Sequence, residues 1–438
     1  MNTHSRRDFV KGTLLAAAAP MVLGRVFAQA AAAPGAIRRE IFLPANPAES
    51  IQATTFYTRR TGLDLISTHE IMKRSDTIEA AHLRYSNDNG RTWQVGEDIA
   101  TFGLRPHAKL RRALRGATVD PASGRFLRFY NEALLPSDDP LEGFWRWVVK
   151  YAASEDGGLT WYLDEEIICR GAGFDASHPV PGVTVGHNCV MIGDHASRQF
   201  FLKDGTLIVP VIISPVDKAG HYYNPGGGYT YSDAAVLRGS WAADGRHLEW
   251  ELSERVAADP RLSTRGMDEP TVAELDDGRL LMVCRGSNDK QPGLPGRRWA
   301  SYSGDQGRTW SKPEYWSYTG GELFYSPAAS SQLIAHSSGR IFWLGNIVPE
   351  NPTGNRPRYP FVIGEVDRRT GLLDRRSIRT VDDRRPEDGE LLALSSPSAR
   401  EDRETGEIVL NLTRWGARSV GKTYNWTADA WLYRIPVE

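Results

Sequence analysis

The chain has 438 residues and a formal net charge of −1. That length exceeds one ordinary globular core but suits a repeat architecture in which each unit adds its own layer. The near-neutral balance gives no electrostatic case for nucleic acid or for an anionic membrane as partner.

The N-terminus reads as an export signal. Ser5-Arg6-Arg7-Asp8-Phe9-Val10-Lys11 precedes an apolar stretch from Gly12 to Gly24, and Ala28-Gln29-Ala30 supplies small residues for cleavage. This is the pattern of a twin-arginine signal over residues 1–30. The apolar stretch is shorter than the roughly 20 residues a membrane span needs. The expectation is a protein without a membrane partner after signal removal, periplasmic or secreted, with one domain over residues 31–438. The sequence leaves the oligomeric state open. Export by this route does not imply a cofactor, and none is expected.

From there on, two repeats run through the chain. A glycine turn introduces a short apolar, β-rich run six times: Gly62 before Leu63 to Ser67, Gly124 before Phe126 to Tyr130, Gly205 before Leu207 to Ile213, Gly278 before Leu280 to Cys284, Gly339 before Ile341 to Leu344, and Gly406 before Ile408 to Leu412. Such runs read as strands, and their interval predicts six like sheets. The stretch from Gly143 to Ala153 reads as readily as a strand as a helix. Closure by strands from both chain ends is expected, because an open ring would leave pairing edges exposed.

The second repeat is Ser86-x-Asp88-x-Gly90-x-Thr92-Trp93, with copies at Ser154–Trp161 and Ser303–Trp310. The Asp and Ser can bond nearby backbone donors, the Gly takes positive φ, and the Trp packs onto the sheet below. Ala242-Ala243-Asp244-Gly245, ending at Trp250, is a degenerate relative. The phrase is the Asp box. On it the chain resembles the sialidase superfamily, which implies an all-β fold, a six-bladed β-propeller.

The resemblance also implies a site. Asp268-Glu269-Pro270-Thr271, followed by the Gly278 turn and Leu280 to Arg285, looks like the stretch around the buried glutamate of sialidases and one carboxylate-binding arginine. Glu269 would be the activating base and Arg285 a substrate clamp, since a guanidinium holds a carboxylate through two bonds. Phe324-Tyr325-Ser326 is similar to the context of the tyrosine nucleophile, so Tyr325 would take that role. Arg298, with Arg297 as its neighbour on the opposite face, would be a second substrate arginine. Asp76, with Glu70 as fallback, would be the general acid. Where sialidases open their first blade with Arg-Ile-Pro, this chain reads Glu49-Ser50-Ile51-Gln52-Ala53-Thr54, with no arginine.

The implied function is exo-acting hydrolysis of a glycan substrate, releasing a terminal acidic sugar. Two other readings stand beside it. One is a polysaccharide lyase or non-sialic glycosidase built on His187 and Tyr229, where His and Tyr would move a proton beside a uronate carboxylate. The other is a glycan-binding propeller without catalysis. No zinc-site spacing is present. Cys169, Cys189 and Cys284 allow one disulfide or three buried thiols.

Overall fold

Each of the six glycine turns joins the first two strands of one antiparallel sheet, and each of those glycines has positive φ, from 68° at Gly406 to 88° at Gly205. The computed structural model describes residues 35–437. The signal read over residues 1–30 lies outside the described residues. The six sheets are the blades of a β-propeller. The first blade is Ser50–Tyr57, Leu65–Arg74, Thr77–Ser86 and Gln94–Ile99, from the axis outward. The second runs through Ala108–Val119, Phe126–Leu135 and Val148–Ser154, the third centres on Leu207–Ile213 and Asp233–Trp241, and the fourth begins with Asp268–Glu274 and Leu280–Arg285. The fifth begins with Gln332–Ala335 and Ile341–Asn346, the sixth with Ala393–Glu401 and Ile408–Trp415.

The ring closes with strands from the two ends of the chain. Arg38–Leu43 is the outermost strand of the sixth blade and pairs antiparallel with Ala430–Ile435. Gly143 to Ala153 divides: Pro140–Trp145 is a 3₁₀ helix and Val148–Ser154 a strand. Between blades the core is apolar. Leu127, Phe129, Tyr151, Val209, Leu237 and Trp250 pack in one cluster between the second and third blades. Cys169, Cys189 and Cys284 are free buried thiols, with no disulfide among them. Burial pushes the Cys189 thiol up to about 12.

The Asp boxes fold as hairpin corners. In the first, the Ser86 hydroxyl donates to Asp88 at 2.7 Å and accepts from the Gly90 amide at 2.8 Å. Asp88 accepts from the Thr92 amide at 2.9 Å. The Trp93 indole donates to the Gly90 carbonyl at 3.0 Å. The boxes at Asp156 and Asp305 repeat the serine and threonine bonds.

Three inner strands are irregular where they meet the axis. Register shifts fall between Asp268 and Thr271, between Ser395 and Ser398, and between Leu114 and Gly116. The third blade's inner edge is split: Val190–Met191 and Phe200–Phe201 both pair with Leu207–Ile213, and the residues between them leave the sheet. Bulges re-aim side chains. Here they deliver Glu269, Ser396, Asp194 and His195 to one mouth of the central channel.

Candidate functional site

That mouth opens on two adjoining lobes of about 410 and 270 Å³. Asp76, Arg115, Asp194, Glu269, Arg358 and Ser396 line both. They come from six separate stretches of chain.

Glu269 sits in the bulge with φ of 44°, a conformation that a non-glycine residue adopts only when its surroundings hold it there. It leans over Gly193, where an added Cβ would stand 2.7 Å from its Cγ. A side chain at 193 would therefore displace the carboxylate. Burial raises the Glu269 carboxyl to about 7, against the opposing pull of Arg285. Arg285 is paired with Asp268 across the strands and donates Nε and NH2 to its Oδ2 at 3.2 and 2.9 Å. Its NH1 donates to the Ala328 carbonyl at 3.1 Å. Nε also lies 3.1 Å from Oε2 of Glu269, an ion contact. The direction of that N–H serves Asp268, so Oε2 is left without a hydrogen-bond donor among the described residues.

Asp268 is the anchor beneath. Burial opposes its charge, yet Arg285 and Arg265 outweigh burial and hold its carboxyl below the usual carboxylate range. Arg265 reaches it at 3.2 Å. Asp76 stands at the turn between two strands of the first blade, exposed, with φ of 56° and its Oδ2 accepting from Ser75 at 2.8 Å.

Several expected residues lie elsewhere. Tyr325 lines neither lobe; its backbone bridges to Val348 and the Arg297 guanidinium lies 4.2 Å over its ring. It shares neither lobe with Glu269. Arg298 is fully buried, donates Nε to Ser326 at 2.9 Å, and has no share in the cavity wall. As a mid-sheet neighbour of Arg285 it lies one strand too far out. His187 is exposed on the rim, with Nδ1 3.2 Å from the Gly220 carbonyl, and is not a wall residue. Tyr229 is, although more than half exposed. His187 and Tyr229 are therefore not gathered in one pocket.

Other residues take their places. Arg358 lines both lobes, donating NH1 to Ser395 at 3.2 Å and NH2 to the Ala328 carbonyl at 3.0 Å. It shares that carbonyl with Arg285, so the two guanidinium groups are neighbours. Its sequence setting, Arg356-Pro357-Arg358-Tyr359-Pro360, carries no chemical signature. Gln52 presents a neutral amide to the cavity from the stretch where the resemblance expects arginine. Glu70 and His195 form a buried pair at 2.8 Å. Glu70 was legible as an acid; nothing local marked His195.

The BNR repeat-like domain profile matches residues 117–378. The chain belongs to the BNR repeat-like family. Among solved structures, this BNR repeat protein is similar to one of unknown function from Dyadobacter fermentans, 13% identical, over 92% of this chain and 100% of that one, with a TM-score of 0.57. It is similar to the intramolecular trans-sialidase of Ruminococcus gnavus, 12% identical, over 89% of this chain and 95% of that one, TM-score 0.55. A third is the Trypanosoma rangeli sialidase, 13% identical, over 92% of this chain and 59% of that one, TM-score 0.57. No curated protein matches the chain. These likenesses establish a sialidase-like propeller; the chemistry rests on the site itself.

Proposed function

We propose that the protein is an exo-acting glycoside hydrolase that releases a terminal sugar bearing a carboxylate. One observation carries this reading: a single cavity holds two neighbouring arginines, Arg285 and Arg358, beside two carboxyl groups, Glu269 and Asp76. Arg285 is held rigid by Asp268, and the Nε of Arg358 is buried without a partner among the described residues. A sugar carboxylate supplies the acceptor that Arg358 lacks.

With Tyr325 outside the cavity, Glu269 acts on water directly in this mechanism. Its carboxylate takes a proton from water while the oxygen of that water bonds to the anomeric carbon. Asp76 gives its proton to the departing glycosidic oxygen as the carbon–oxygen bond breaks. A single displacement of this kind inverts the anomeric centre. The proposed site of action is outside the cytoplasm, after twin-arginine export.

The test is proton NMR of the sugar first released by the full chain from aryl glycosides of uronic and sialic acids, run beside Asp76→Asn. The expected product is the inverted anomer, and Asp76→Asn should lose most turnover on poor leaving groups. A retained anomer eliminates direct attack by water.

A further inference from the structure

The inner strands that begin at this mouth end at a second one at the opposite end of the channel. Ser50–Tyr57 gives Gln52 to the first mouth and Tyr57 to the second; Ala393–Glu401 gives Ser395 to the first and Arg400 to the second. The second mouth opens on a cavity of about 710 Å³.

Its wall is rich in charge, and most of that charge is matched. Lys203 lies 3.4 Å from Glu274, Arg368 bonds Asp276, and Glu401 accepts from the Ser337 amide at 2.8 Å with His336 at 3.4 Å. Arg340 donates to Glu365 at 2.9 and 2.6 Å, and Arg403 spends two nitrogens on the Gly62 and Arg59 carbonyls, at 3.0 and 2.9 Å. Two guanidinium groups remain. Arg198 lies 4.3 Å over the Phe56 ring, its side chain makes no hydrogen bond or ion pair among the described residues, and its NH1 is buried. Arg400 is buried and donates to neutral oxygens, Thr55 Oγ1 at 3.3 Å, the Tyr57 hydroxyl at 3.1 Å and the Glu401 carbonyl at 3.3 Å. Its nearest carboxylate, Asp402 at 4.0 Å, is already bonded by Arg434 at 3.0 Å. Burial, and then the charge of Arg400, lower Arg198 only to about 10, so it stays charged at neutral pH.

Two like charges facing one cavity, with Asp402 at 4.0 Å from Arg400 and shared with Arg434 as their nearest counter-charge, are stabilised when an anion joins them. The planar forks of arginine suit a tetrahedral oxyanion, which offers several acceptors at once. We propose that the second mouth is an anion site in which Arg198 and Arg400 clamp a doubly charged oxyanion, phosphate or sulfate, free or carried on a sugar.

The experiment is isothermal titration of the full chain with inorganic phosphate, inorganic sulfate, glucose 6-phosphate and glucose 6-sulfate, at constant ionic strength with chloride as control. Saturable binding is expected. Loss of one charged donor should weaken it roughly tenfold or more in Arg198→Met. Arg376→Met, at an exposed arginine that lines neither mouth, should bind as the wild type does. Tighter binding of the sugar esters than of the free ions assigns the site to a substituted sugar; equal binding assigns it to the ion. Should Arg198→Met fail to fold, Arg198→Lys keeps the charge but loses the fork, and weaker binding is again expected. No saturable binding to any of the four, or binding kept in the Arg198 variants, overturns the proposal.

Discussion

Nε2 of His195 lies 2.8 Å from Oε2 of Glu70, and both side chains are almost wholly buried. The pair joins two blades at the channel mouth. The other Glu70 oxygen accepts from the Leu114 amide at 3.0 Å, which ties in a third. Removing one member leaves a buried polar group unmatched. His195→Phe should cost about 3 kcal/mol of unfolding free energy, the scale expected for leaving a buried carboxyl group without its hydrogen-bond partner. Glu70→Gln, which keeps the hydrogen bonds, should cost less. Urea denaturation of the three proteins measures both.

Glu269 gives a pH signature. Its folded carboxyl is raised to about 7 from the ordinary 4.5. Between those values the folded state binds more protons than the unfolded one, so this group's contribution to stability falls as pH rises through that window. Glu269→Gln mimics the protonated form. Its thermal midpoint should match the wild type near pH 5 and exceed it near pH 8.

Arg358 and Arg298 should separate cleanly. Arg358 faces the cavity and Arg298 is buried behind Arg285. Arg358→Met should raise KM for a carboxylate-bearing substrate by roughly ten- to a hundredfold, the loss of one charge-assisted pair. Its unfolding should change little. Arg298→Met should leave KM nearly unchanged and alter stability. Steady-state kinetics with parallel melts distinguish them.

The Asp boxes predict acid sensitivity. Bonds from Thr92 hold Asp88 down to about 2, and bonds from Thr160 hold Asp156 there too. Stability from depressed carboxyls is present above their unfolded value near 4 and is lost as pH falls towards 2. Asp156→Ala should cost about 1 kcal/mol at pH 7, given its partial exposure, and almost nothing at pH 2. Chemical denaturation at both pH values checks this.

The blades were legible because their signals are local. A glycine turn needs its positive φ whatever surrounds it, and an Asp box satisfies its own donors within eight residues. Glu269 and Arg285 were legible for a related reason: one hairpin, turning at Gly278, returns the second beside the first. The rest of the site is assembled across the ring. Arg358 enters from a proline-flanked loop of the fifth blade, and His195 from a break in the third, so neither has a neighbour in sequence that explains it. Tyr325 and Arg298 fit local phrases, but the distance of each from the axis is a tertiary property that no phrase encodes.

The central claim is that the cavity holding Glu269, Asp76, Arg285 and Arg358 hydrolyses a glycan ending in an acidic sugar. Mass detection of products from sialosides and uronate oligosaccharides, incubated with the wild-type chain and with Glu269→Gln, tests it most directly. The account predicts a free acidic monosaccharide, one water heavier than the glycosyl residue, from the wild type and almost none from Glu269→Gln. No product from any substrate, an unsaturated product, or equal release by the two proteins would contradict it.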